Sequence, residues 1–428
     1  YLINIKSVSE ELDNLLEDAV SLRLRADVPV AAYLSGGIDS AATTHYIKKV
    51  AHNKLRTFSI GFENKEFDET DFQHEVSAYL NTKHKAYACS NTDIAGHFSD
   101  VVWHTETPVL RTAPVPMYLL SKYVRENNIK VVITGEGADE MLGGYDIFKE
   151  MIIRRFWAKY PGSKLRPLLL QRLYPYIPAL SSQKGNMLKF FFGYKLNDTG
   201  SPVYSHLLRW NNSSKIASYL SPEIKSRLAG CDVVTSFLKT HEIELLNLGP
   251  LAKAQRLEST IFMSGYLLSS QGDRMGMANS VEGRYPFLDH RVAEYCAKIH
   301  PDLKIHGLNE KYILKKMMAG KIPDSVINRT KQPYRAPVAE CFTGRNKPEY
   351  IKDLLSSNTL RSYGIFDPVN VTNLLHKLET SQPSELEGMI ITALVSTQLL
   401  YHHFFTYKPG LTKRINNCRI IAETIMAS

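Results

Sequence analysis

The sequence predicts an α/β fold, a doubly wound parallel sheet with a large helical elaboration, and three observations carry that prediction. Short apolar runs alternate with helical patterns as far as about Lys149, the order that parallel strands joined by crossover helices produce. Glycine-bearing turns follow three of the runs, at Ser35, Gly61 and Gly135, and a sheet of this kind gathers such turns at the carboxyl ends of its strands. Beyond Lys149 the pattern changes to helices broken at Pro161, Pro167, Pro175, Pro178 and Pro202, with neither repeats nor low-complexity tracts.

Ser7 with Glu10 reads as a capping box, and Val8, Leu12, Leu15, Leu16 and Ala19 follow at helical spacing until Asp27 and Pro29 end the helix. This first helix is expected to pack on the sheet edge. Strands are expected from Val30 to Leu34, Arg56 to Gly61, Lys85 to Ala88 and Lys130 to Thr134. Between them, helical spacing covers Ser40 to Lys49, Glu69 to Leu80, Asp93 to His104 and Met117 to Asn127. A chain of 428 residues can bury roughly three quarters of its unfolded surface. With no Gly/Ser linker, residues 1–405 read as one domain and 406–428 as a tail. The start at Tyr1 rather than Met reads as a piece of something longer.

Five cysteines, odd in number and free of any CxxC pair, fit reduced thiols. No apolar stretch approaches the ~18 residues of a membrane span, and the acidic, amphipathic amino end is unlike a signal peptide. A soluble, cytoplasmic protein with no membrane partner is therefore expected. The net charge of +9 comes from one segment, in which Lys149, Arg154, Arg155, Lys159, Lys164, Arg166, Arg172, Lys184, Lys189 and Lys195 face Glu150 alone. Aromatic residues such as Phe156, Trp157, Tyr160, Phe190 and Phe192 are interleaved with them. The favoured reading is a helical layer whose aromatics are core and whose cations are its solvated face. Nucleic acid is not expected as a partner, and a homodimer is left open.

The run Val30 to Leu34 leads into Ser35-Gly36-Gly37-Ile38-Asp39-Ser40 and then a helical pattern. A glycine-floored turn between strand and helix suits pyrophosphate. Glycines let backbone approach the anion, serine hydroxyls and helix-start amides donate to its oxygens, and the helix dipole adds attraction. Asp39 beside such an anion needs a bridging cation, for which magnesium is the natural choice. The Gly-Lys-Ser/Thr end of a Walker loop is missing, since Gly320-Lys321-Ile322 lacks the hydroxyl, so cleavage between β and γ phosphates is not suggested.

A second strand-to-loop element is Val131 to Thr134 followed by Gly135-Glu136-Gly137-Ala138-Asp139-Glu140, in which Glu140 occupies the third glycine position of a dinucleotide fingerprint and defeats it. Its acids would face the first loop, so that Asp139 shares magnesium with Asp39. Phe58-Ser59-Ile60-Gly61-Phe62 ends another strand, where Gly61 would let a flat base, adenine by preference, lie on backbone with Ile60 against the ring. Lys311, within Glu310 to Lys316 at a helix start, would reach a phosphate and offset charge growing in a transition state. Asp273 to Asp289 alternates charged and apolar residues too regularly for a loose loop, and Glu282 with Arg284 reads as a buried, paired scaffold. Ala78 breaks a zinc helix begun by His74-Glu75, His402-His403 reads as packing near a helix end, and no Gly-x-Ser-x-Gly elbow occurs.

Taken in order, these motifs resemble the C-terminal synthetase domain of the glutamine-hydrolysing asparagine synthetase family, over roughly residues 8–405. Leu34 to Ser40 is similar to its pyrophosphate loop, Phe58 to Phe62 to its adenine segment, and Thr134 to Tyr145 to its acidic loop. Glu106 to Arg111 with Pro116 to Leu119 is similar to its substrate stretch, and Ser280 to Asp289 and Glu310 to Leu314 complete the order. The resemblance implies a fold of the PP-loop ATP pyrophosphatase, adenine nucleotide alpha hydrolase-like type, with ATP and Mg2+ as cofactors. It implies a carbon–nitrogen ligase that adenylates the side-chain carboxylate of aspartate, releases pyrophosphate, and lets ammonia displace AMP to give asparagine.

Nucleotide contacts are implied at Leu34, Ser35, Gly36, Gly37, Asp39, Ser40, Ile60, Gly61, Thr134 and Gly135, and magnesium at Asp39 and Asp139. Lys311 is implied on the phosphates, Glu136 in intermediate formation and ammonia attack, and Arg111 facing the amino acid. The family's N-terminal glutaminase, which begins with a catalytic cysteine, has no counterpart in this chain, so the nitrogen would be free ammonia or come from glutamine through that domain. The competing readings are a relative forming a lactam or amide on another carboxylate, an inactive nucleotide-binding scaffold, and RNA modification through base adenylation.

Overall fold

Apolar runs and crossover helices build a single parallel sheet. The computed structural model describes residues 1–51, 54–177, 186–343, 347–381 and 383–406, so Pro178, Lys184, Cys418 and nearly all of the expected tail lie outside it. Its strands are β1 (Val30–Tyr33), β2 (Arg56–Phe62), β3 (Lys83–Cys89), β4 (Val131–Ile133) and β5 (Glu282–Arg284), in the order β3-β2-β1-β4-β5. All four neighbouring pairs are parallel. The chain steps outward from β1 through β2 to β3, then crosses back to β4 on the other flank of β1. The order therefore reverses between β1 and β4, and their carboxyl ends open a crevice there.

Helices α1 (Ile5–Arg23) and α2 (Ile38–Val50) cover one face; α3 (Thr70–Tyr79), α4 (Asn91–Thr105) and α5 (Pro114–Glu126) follow the next strands. Ala32, Leu34 and Ile133 from the sheet pack with Leu12, Leu16 and Ile47 from the first face and with Ile313 and Leu314. On the opposite face Phe58, Ile60 and Val132 meet Phe98, Val102 and Leu120 of α4 and α5, with Leu394 and Val395 of the helix Glu385–Phe404 closing the layer. Strand residues thus alternate between two apolar faces, as a sheet buried on both sides requires.

Four expectations change. Asn4, not Ser7, caps α1: its side chain accepts from the N–H groups of Lys6 and Ser7, and Ser7 lies inside the helix donating back to the Asn4 carbonyl. The helix lies on the sheet's face against α2, not on its edge. Residues Glu282–Arg284 form a strand that three residues with charged ends could not announce. Its ends are tied by Glu282 N–H donating to Lys130 and Thr134 N–H donating to Arg284. Glu282 and Arg284 are paired at 2.7 Å, but the Glu282 side chain is 50% exposed, so the pair is not buried.

The basic segment is not a plain solvated face. Helix α7 (Asp146–Ala158) buries Lys149 between Asp146 and Glu310. It buries Arg154 completely, with donations to the carbonyls of Phe192 and Tyr194. Trp157 and Phe192 are core as expected, whereas Phe190 and Tyr160 are exposed and Arg166 packs over the Phe156 and Tyr160 rings.

Candidate active site

Two loops meet where the strand order reverses. A Cβ on Gly135 would stand 2.7 Å from the Asp39 carbonyl carbon and 2.8 Å from the Ser40 nitrogen. Only glycine lets the β4 loop touch the first turn of α2 backbone to backbone. Within the first loop, Ser40 Oγ donates to the Gly37 carbonyl and accepts from the Ser35 N–H, and the two serine hydroxyls lie 3.0 Å apart. Ser40 therefore braces the turn, and it lies on the cavity wall with Leu34, Ser35, Gly37, Asp39, Thr134, Gly135 and Glu136.

The two aspartates expected to converge do so, around two lysines. Lys311 Nζ lies 2.6 and 2.5 Å from the Asp39 oxygens and 2.5 Å from Asp139 Oδ1. Lys331 Nζ lies 2.6 Å from Asp139 Oδ2 and 3.4 Å from Asp39 Oδ2. Burial opposes ionisation of Asp139, but the two lysines outweigh it and hold the carboxyl below its ordinary value. Burial likewise opposes charge on Lys331, and Asp139 and Asp39 reverse the outcome, raising its pKa. Lys311 is 1% exposed and sits at φ +51°, capping the helix Tyr312–Met318 in the left-handed region. A lysine held there marks strain of the kind that functional sites store. Gly144 makes room for the contact, because a Cβ there would overlap Asp139 Oδ1 and Lys311 Cε.

Two further acids flank the cluster. Burial pushes the Glu136 carboxyl up to about 7, with Asp139 and Asp39 adding to the rise while Lys331 and Lys311 offset part of it. Glu140, on α6 (Ala138–Leu142), is pushed up to about 8 by burial and then by Asp139 and Glu136. Tyr145 donates to its Oε1 at 2.8 Å, and its Oε2 has no hydrogen-bond partner among the described residues. Glu136 is thus poised near neutrality facing the cavity, and Glu140 stays protonated beneath it.

Ile60 lines the cavity, its carbonyl accepting from the Gln73 amide at 2.9 Å while Gln73 accepts from Ser59 at 2.7 Å. Three expected contacts are placed elsewhere. Gly61 turns its bare side toward Thr70 and Asp68, which fill the space a base was expected to use. Gly36, at φ +74°, packs on Phe72. Arg111 stands beside Tyr266 and Tyr176, outside the cavity wall. Lys331, Gln271, Tyr334 and Arg335 line the cavity unforeseen. The coil Arg329 to Val338 and the π-helix Glu258–Asp273 that supply them carry no periodic signal. A short basic coil, Arg329-Thr330-Lys331, was the one hint.

Among the described residues no group of three or more His, Cys, Asp and Glu gathers as a metal centre. Two carboxylates do suit magnesium, which characteristically takes one or two protein carboxylates and completes its shell with phosphate and water. Asp139 Oδ1 fits that role, being buried without a hydrogen bond and held by ion pairing alone. No helix of the described residues is long and apolar enough to cross a membrane.

The sequence pattern of the asparagine synthase family matches residues 11–401. Over 375 residues the chain is 29% identical to asparagine synthetase [glutamine-hydrolyzing] 1 of Bacillus subtilis (strain 168), a match covering 85% of this chain and 56% of that one. Over 424 residues it is 28% identical to the amidase chyE of Penicillium rubens, covering 92% and 62%. Over 330 residues it is 29% identical to a putative asparagine synthetase [glutamine-hydrolyzing] of Mycobacterium tuberculosis (strain ATCC 25618 / H37Rv), covering 77% and 48%. The chain spans about half the length of these relatives.

Proposed function

Because the chain belongs to the asparagine synthase family, we propose that it is an ATP-dependent carbon–nitrogen ligase acting through an acyl adenylate. The observation that carries this reading is the meeting of Asp39, Asp139, Lys311 and Lys331 beside Glu136 at the point where the strand order reverses. The relatives' names favour an aspartyl side chain as acceptor. Its carboxylate oxygen attacks the α phosphorus of ATP, the bond from that phosphorus to the bridging oxygen breaks, and pyrophosphate leaves. Ammonia nitrogen then attacks the acyl carbon of the β-aspartyl-AMP, AMP departs with the bonding electrons, and the amide, asparagine for free aspartate, remains.

The chain's own groups divide this work. Lys311 and Lys331 bind phosphate oxygens as negative charge moves onto the leaving pyrophosphate. Glu136, with its pKa near 7, takes the proton that the attacking nitrogen must lose. Magnesium, held by Asp39 and Asp139, would neutralise the pyrophosphate. The nitrogen would be free ammonia or come from glutamine through a glutaminase domain like that of the named relatives. We read residues 1–405 as the synthetase domain.

Asp39→Asn tests the reading, since Lys311 and Lys331 keep Asp139 as partner and the fold should stand. With Mg-ATP, ammonia and aspartate or an aspartyl derivative, pyrophosphate release should fall on the order of 10²-fold or more. An unchanged rate, or no acceptor-dependent pyrophosphate from the parent chain, would overturn it.

A further inference from the structure

Beyond the phosphate end, the cavity carries recognition groups that are buried, neutral and unused. Every charged side chain on its wall except Glu136 has an opposite charge within 3.6 Å. Arg335 is the most fully engaged, meeting Glu385 and Glu66 and donating to the Tyr176 carbonyl. Gln271, 4% exposed, lines the same cavity and its amide makes no hydrogen bond among the described residues. Tyr334 also lines it, and its buried hydroxyl has no hydrogen-bond partner among the described residues. Phe62 stands 6.5 Å from the Tyr334 ring, giving this quarter an apolar wall.

Buried polar groups are normally satisfied, so an unsatisfied Tyr334 hydroxyl beside an unbonded Gln271 amide on one wall indicates the polar atoms of a ligand. Their kind indicates its chemistry. A free amino acid brings an ammonium and a carboxylate besides the reacting group, and each needs a charged partner once desolvated. Among the described residues of the wall no cation is left unpaired for the carboxylate, and the unpaired acid, Glu136, is the base already assigned to the reaction. Arg111, near Tyr266, makes no ion pair among the described residues but stands off the wall. Amide and hydroxyl groups instead match carbonyls and N–H groups.

We propose that Gln271 and Tyr334 form the subsite for an acceptor whose body is neutral and amide-bearing, an aspartyl-type carboxylate within an acylated or peptide-like molecule. This rests on the reading of the chain as a carboxylate-amidating ligase. Pyrophosphate release from Mg-ATP and ammonia is to be measured with free L-aspartate and with Nα-acetyl-L-aspartic acid α-amide, which share the reacting carboxylate and differ in the charges of the head. The capped compound should show at least about tenfold higher kcat/KM. Gln271→Leu and Tyr334→Phe should each raise its KM about tenfold, with kcat and the KM for ATP unchanged. Equal or better use of free aspartate overturns the proposal while leaving the ligase reading intact, and so does a shift in the KM for ATP equal to that for the acceptor. Failure of the capped compound to support turnover overturns it as well, and the adenylation reading is then judged separately by whether Asp39→Asn abolishes Mg-ATP binding.

Discussion

Lys311 is fully buried, and among the described residues its ammonium pairs with Asp39 and Asp139. Removing it does two separable things. Lys311→Ala should lower pyrophosphate release by on the order of 10²-fold or more, because charge on the leaving group loses its donor. It should also destabilise the ligand-free chain by about 3 kcal/mol, since two carboxylates are left sharing Lys331 alone; urea unfolding beside initial rates separates the effects. A rate change under about threefold would make Lys311 a structural residue only. Glu136 makes a different prediction. A base must be ionised, so the rate should climb as pH rises through about 7, and Glu136→Gln should lose both the rate and that inflection. At this scale the sequence was readable wherever a short motif adjoined a strand end, as for Asp39, Glu136 and Asp139. It was not where direction mattered. Nothing local tells Gly61 to face Thr70, or lifts Lys331 out of a coil to meet two aspartates distant in sequence.

Gly144 shows how two elements become one site. The turn after α6 and the start of Tyr312–Met318 approach so closely that a methyl group would occupy the space of Asp139 and Lys311. Gly144→Ala should therefore push the pair apart, costing about 1–3 kcal/mol by overpacking and most of the activity together. Thermal unfolding and pyrophosphate release should fall in the same variant, and an active, stable Gly144→Ala chain would mean the contact is dispensable. Elements with strong periodicity, such as α2 and α4, stand within a few residues of their expected ends. Strand β5 did not declare itself, because an edge position set by pairing to β4 needs no apolar run of its own. The cap of α1 moved from Ser7 to Asn4 because either polar side chain can serve, and only the chain's path before the helix chooses between them.

For the molecule as a whole, pH dependence follows from two protonated acids. The Glu136 and Glu140 carboxyls stand at about 7 and about 8 against an ordinary 4.5, so the folded chain keeps protons that the unfolded chain has released. Their contribution is fully present below pH 4.5 and is lost as pH rises through about 7 to 8. Above pH ~6.5 the opposing contribution of His45, His84 and His206, whose folded pKa values lie below the ordinary one, fades as the unfolded chain's imidazoles lose their protons. Between pH ~6.5 and ~8 the stability of the parent chain should fall, and Glu140→Gln should flatten the slope; denaturant midpoints at the two ends measure it. The fold order was readable because βα alternation leaves few topologies, whereas the third dimension of the cavity, built by coil and π-helix, was not.

The square of two lysines and two aspartates has a last consequence. Before any guest arrives, its charges cancel. A lone divalent ion would evict an ammonium, and a lone polyphosphate would draw the lysines off the carboxylates, so either guest by itself leaves an ion stranded. Entering together, they swap partners and nothing is left over. The cleft behaves as a lock with two keys: metal should tighten nucleotide binding, and nucleotide should tighten metal binding by the same factor.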